Sequence, residues 1–205
     1  MVIEEFGPRV ANVWNHLRST TRNLVENAWR SAGSGSAPQV PRSTPYDPRA
    51  DQELSQLLAA LDDHAQQTES SAGREGARES RRLADACANV LSQQTQSAEV
   101  FAQLIERAHQ RNNYAQVDAL AELLPERLAP SELCELARAN NVIVRALAHE
   151  ALTQLPTSLL AAVLRDPVDA VIARQALERQ ATEFGSEDAQ RILREAIESF
   201  DENFD

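Results

Sequence analysis

The chain has no lysine; all twenty of its basic residues are arginine, a bias from which no mechanism follows. Cysteine is limited to Cys87 and Cys134, far apart, without CxxC spacing and in Ala/Leu-rich surroundings. Such residues read as small buried side chains of a reducing compartment rather than as a disulfide. Glycine is absent between Gly76 and Gly185, so turns there fall to proline, asparagine and aspartate, which suits short corners between packed helices. Gly33 and Gly35 lie in a linker with no strand before them, which excludes a phosphate-cradling loop. Aromatics supply only 4% of the residues while alanine and leucine abound, a composition suited to closely packed helix faces. No stretch approaches the roughly 20 apolar residues of a membrane span. The start, Met1 to Pro8, lacks the basic region and continuous apolar run of a secretory signal. A cytoplasmic location is expected.

Charge is uneven along the chain. The net charge is −11, yet residues 1–50 carry six arginines against Glu4, Glu5, Glu26 and Asp47, and the acidic excess lies wholly in residues 51–205. An acidic body repels phosphate backbones, so nucleic acid is not an expected partner.

In residues 1–30, Ile3, Phe6, Val10, Val13, Trp14, Leu17, Leu24, Val25 and Ala28 recur at three- and four-residue intervals. This predicts one amphipathic helix over Pro8–Trp29, with proline in its first turn and Thr20 and Thr21 weakening the middle of the stripe. Residues 31–49 are rich in Gly, Ser and Pro and read as a flexible linker. An isolated helix of this length is marginal in water, so its stripe needs a cover. The candidates are its own body, another chain including a second copy, or a membrane interface, where Trp14 and Trp29 would seat it.

Residues 50–198 read as a succession of amphipathic helices, followed by an acidic tail over 199–205. Asp47 and Pro48 open the first, with Leu54, Leu57, Leu58 and Leu61 inward. A second runs over 74–94 and a third follows a Ser97 cap. The next, from Tyr114, is expected to stop at Pro125. Asn140–Asn141 and Asp166–Pro167 break the later helices, whose expected inward residues include Val142, Leu159, Val168 and Val171. One pattern recurs: Val117–Glu122 (VDALAE), Val144–His149 (VRALAH) and Asp169–Arg174 (DAVIAR), at offsets of 27 and 25. Recurrence at near-fixed spacing is the signature of stacked helix pairs.

Leu136–Leu152 (LARANNVIVRALAHEAL) and Leu164–Leu177 (LRDPVDAVIARQAL) each resemble a short HEAT repeat: a short first helix, an Asp/Asn/Pro corner, then alanines on a second helix. Val144–Arg145 matches that family's Val–Arg pair; Asp169–Ala170 stands in its place in the later unit, and Asp118 replaces the arginine in the earlier one. The resemblance spans roughly residues 97–184. It implies an all-α array of helical hairpins, an armadillo-like superhelix that binds other proteins along one face without chemistry of its own. A closed helical bundle is the alternative.

No catalytic constellation is legible. His16, His64, His109 and His149 fall on four different helices, and Asp62–Asp63–His64 points in three directions from one helix. No metal, cofactor or enzymatic activity is expected. The residues expected to meet a partner are Trp14, Leu17 and Trp29 of the arm, and Arg74, Arg78 and Arg82, which share one helix face and could grip carboxylates. Arg145 is expected to bridge adjacent helix pairs. The function these features imply is a non-catalytic protein-interaction scaffold, with self-association through the arm or a peripheral membrane adaptor as alternatives.

Overall fold

Every regular element in a computed structural model of the chain, described over residues 3–33, 46–70 and 74–201, is helical. The protein is all-α. Two compact units divide at Val100 and Phe101. The composition had placed the division in the linker; instead the arm is part of the first unit. Residues 34–45 of that linker, and 202–205 of the acidic tail, lie outside the described residues.

The first unit opens with a 3₁₀ turn, Ile3–Phe6, then α1 (Gly7–His16) and α2 (Ser19–Gly33). Gly7 makes the bend into α1 at φ +84, where any other side chain is strained, and a Cβ there would stand a tight 3.3 Å from the His64 ring. The single arm helix expected over Pro8–Trp29 is in fact two. Leu17 is extended, and the carbonyls of Trp14 and Asn15, which a continuous helix would give to later amides, accept from Arg22 Nε at 3.1 Å and Nη2 at 2.7 Å. A side chain thus replaces the helical bonds at the break.

The hairpin beneath is α3 (Pro48–Ser70) and α4 (Arg74–Gln94). It is antiparallel: the Gln94 amide reaches Asp51 at 3.4 Å, and His64 Nδ1 meets Ser80 Oγ at 2.7 Å. Leu54, Leu57, Leu58 and Leu61 of α3 and Leu83, Cys87 and Leu91 of α4 form its core. α1 packs on α3, and α2 packs mainly on α4. Val10, Leu17, Val25 and Ala28, the heart of the arm's stripe, are buried. Each of the larger three contributes about 1.5–3 kcal/mol of burial. That outweighs the exposed Arg9–Asp63 ion pair, which fixes orientation more than it stabilises.

The second unit begins within α5 (Ala98–Gln110) and continues through α6 (Tyr114–Arg127), α7 (Pro130–Ala137), α8 (Val142–Gln154), α9 (Thr157–Val163), α10 (Ala170–Glu183) and α11 (Glu187–Asp201). Asn112, at φ 54, ends α5 in a left-handed cap: its N–H bonds the His109 carbonyl, and the Asn113 N–H bonds that of Ala108. α6 does not stop at Pro125. The proline sits in the last turn, where one lost amide bond is tolerated, and Leu128 N–H still closes on Leu124 at 3.0 Å. Asn141 caps α8 by accepting from Ile143 and Val144 N–H.

α8 and α10 lie side by side and run parallel. Near their starts, Arg138, which ends α7, pairs with Asp169, which precedes α10. Near their ends, Arg179 reaches Glu150 at 3.1 Å, and the Gln180 amide donates to the Thr153 and Leu155 carbonyls at 3.0 and 2.7 Å. Ala148, Ala151 and Leu152 of α8 and Ala173, Ala176 and Leu177 of α10 are buried. Val142, Leu159, Val168 and Val171, expected inward, are exposed, and so is Tyr114. All five lie in a first turn or the corner before one, beyond the face that the neighbouring helix covers. On the seven-residue α9 the single buried ridge belongs to Leu160.

Candidate partner-binding surfaces

The residues nominated from the arm split in the structure. Leu17 is 5% exposed and belongs to the core, so a partner reaches it only if the arm leaves the hairpin. Trp14 and Trp29 are half-buried. Trp29 carries Arg82 of α4 over its ring, 5.1 Å from the centroid, a cation–π contact within the unit. Arg82 is therefore engaged with the arm, while Arg78 is exposed one turn away. Arg74 opens α4, but its side chain lies outside the described residues. The arginine face expected to grip carboxylates is thus partly spent on holding α2.

A clamp the sequence did not reveal sits at the arm's break. Arg18 Nε donates to Glu53 at 2.9 Å, its Nη2 lies 2.9 Å from Asp47 Oδ2, and the Thr21 hydroxyl donates to the same Glu53 carboxylate. The hydrogen bond to Glu53 raises the Arg18 pKa against the opposing effect of burial. At Asp47 partial burial works upward, but Arg18 and the Arg49 and Ala50 amides win and hold the carboxyl below its usual range.

Burial governs the titratable groups of the interior. Asp51 is buried, and burial raises its pKa against hydrogen bonds from Thr95, Tyr46 and Gln94 and from the Gln96 backbone. Burial, with Asp169 nearby, pushes the Cys134 thiol up to about 11; both cysteines are free and buried. His149 is shifted down by burial and by Arg179 and Arg145. Among the described residues no cluster of three or more His, Cys, Asp or Glu could hold a metal ion. The Asp62–Asp63–His64 run disperses accordingly: Asp63 pairs with Arg9, while His64 bonds Ser80 and stacks edge-on against Phe6. No described helix is long and apolar enough to cross a membrane. Arg145, expected to bridge helix pairs, binds the Ala139 carbonyl of its own corner at 2.8 Å. Arg138 and Arg179 make the bridges instead.

An open apolar surface among the described residues lies in the second unit. A groove of about 450 Å³ runs between α9, α10 and α11, within the ~300–1,000 Å³ range of ligand-binding clefts. Leu164, Ala170 and Val171 line one wall, and Ile192, Leu193 and Ala196 of α11 the other. Arg165 and Arg174 stand on the first wall, Glu195 on the second. Val171 is 66% exposed and Ile192 and Leu193 are half-exposed, so apolar side chains here face solvent. Sequence periodicity assigns these same residues to the core, because a stripe shows which face is apolar and not what covers it.

Comparison with protein-family models, with curated proteins and with solved structures finds none that matches this chain.

Proposed function

We propose that the protein is a non-catalytic interaction scaffold whose second unit binds a protein partner in the groove between α9, α10 and α11. The observation that carries this reading is the groove itself: largely apolar walls, open to solvent, with Arg165, Arg174 and Glu195 the charged side chains among them. The finer architecture belongs to the same proposal. The parallel α8 and α10, joined by Arg138–Asp169 and Gln180, are what adjacent helical hairpins of a HEAT-like array require, and the recurring alanine pattern supports that arrangement. A reducing, cytoplasmic setting suits two free buried thiols.

The arm is the weaker contact in this reading, because its stripe is already covered by α3 and α4. Self-association through the arm, or seating of Trp14 and Trp29 in a membrane, requires α1 and α2 to leave the hairpin and expose Val10, Leu17 and Val25. An acidic body gives nucleic acid no place among the partners.

Affinity purification from cells with the wild-type chain and with Val171→Asp tests the scaffold. A stoichiometric partner is expected on the wild type alone, and hydrogen exchange of the purified pair should slow in α9–α11. Equal retention by Val171→Asp, with protection confined to α1 and α2, would sink the groove and favour the arm. A small molecule or metal co-purifying in native mass spectra would reopen catalysis.

A further inference from the structure

We infer that the groove takes an acidic amphipathic helix, lying with its carboxylates towards Arg165 and Arg174 and its other flank towards Glu195. This rests on the groove being the binding surface, and it specifies the partner's chemistry and orientation.

Backbone accounting comes first. An extended peptide gains affinity by adding to a sheet edge, and the described residues contain no strand. A helix satisfies its own backbone and needs only an apolar trough for side chains spaced at i, i+3 and i+4. The walls supply it: Leu164 and Val171 face Ile192 and Leu193 across the cleft, and ridges of a third helix can lie between those of two others.

Charge then selects the flank. Residues 101–205 hold ten arginines against eighteen carboxylate side chains, so a wall with two arginines is a local reversal in an acidic unit. Arg165 is exposed and makes no ion pair among the described residues. Arg174 holds only Glu178, one turn along its own helix, at 3.2 Å, with both side chains about half exposed. Such a pair is worth little and exchanges readily for an intermolecular carboxylate. Glu195 on the opposite wall repels acid there, so a helix acidic on one flank binds in one direction.

Fluorescence anisotropy of the full chain, with end-blocked fluorescein-labelled helical peptides, tests this. The probe carries leucines at i, i+3 and i+4, glutamates on one flank and glutamines on the other; its counterpart has lysines for the glutamates. The acidic peptide should bind at least roughly fivefold more tightly than the lysine peptide, as two exposed ion pairs allow. The Arg165→Glu/Arg174→Glu variant should reverse the preference, and added salt should narrow it. Equal binding of both peptides, lost together in Val171→Asp, would overturn the inference while leaving the groove as a binding surface. No binding of either peptide, or binding that survives Val171→Asp, overturns the inference and the groove together.

Discussion

Gln180 offers the sharpest perturbation in the second unit. Its side chain is 6% exposed and makes three hydrogen bonds: Nε2 to the Thr153 and Leu155 carbonyls, and Oε1 from the Thr157 hydroxyl at 3.1 Å. The two carbonyls belong to the end of α8, where helical partners run out, and both residues are buried. Gln180→Leu keeps nearly the same volume, so the experiment reads polar groups and not a cavity. Each group left without a partner costs about 1–3 kcal/mol. Apolar gain at the leucine offsets part of this, leaving a net loss of about 2–4 kcal/mol. With a urea m value of about 1–3 kcal/mol/M, the unfolding midpoint followed by far-UV ellipticity should fall by about 1–2 M. Both tryptophans, Trp14 and Trp29, lie in the first unit, so amide exchange in α8 and α10 is the local readout. A variant with an unchanged midpoint and unchanged exchange at the end of α8 would refute the assignment of Gln180 as the link between these helices.

Arg138→Ala should destabilise by about 1–3 kcal/mol, because Asp169, only 6% exposed, loses its ion-pair partner; the figure is at the lower end since Arg138 is itself 42% exposed. The double variant Arg138→Ala/Asp169→Ala should lose less than the sum of the two single losses, and additivity would count against the pair. Asp51 has a folded-state pKa raised above its unfolded value, so the folded state holds the extra proton and stability falls as pH rises from the unfolded pKa of ~3.9 through the folded one. Relative to the wild type, Asp51→Asn should therefore gain stability between mildly acidic and neutral pH; thermal midpoints across that range check the sign, and a relative loss would reverse the argument. With a thiol pKa of about 11 and full burial, Cys134 should resist iodoacetamide in the native protein and react only in denaturant; rapid native alkylation seen by mass spectrometry would show that its cover opens.

The helices were largely legible because their signals are local. Apolar positions at three- and four-residue intervals and the Asn140–Asn141 break act within a turn of the residues that reveal them, and the break is where Asn141 caps α8. What failed depended on distant partners. Arg22 breaks the arm by reaching across seven or eight residues, and no apolar pattern records that. Val142, Val168 and Val171 carry the right residue type at the right spacing, yet exposure depends on where the neighbouring helix ends. The nominated arginine face was read without Trp29, over whose ring Arg82 lies. The groove was hidden for the opposite reason: its residues look like core and differ from core only in lacking a cover. Asp169 had registered only as a departure from the repeat pattern, and its burial beside Arg138 gives that departure a purpose.

The contact between α8 and α10 has a further consequence. The buried faces of the two helices are rich in alanine, with Ala148 and Ala151 on α8 and Ala173 and Ala176 on α10, side chains too short to form steep ridges. Smooth surfaces of this kind allow close approach but resist sliding poorly, and a displacement of one turn would find another alanine in much the same place. The polar contacts at the two ends are what a displaced helix could not reproduce: Asp169 would leave Arg138, and Gln180 would pass the end of α8. Alanine supplies nearness, and the paired polar ends supply the address.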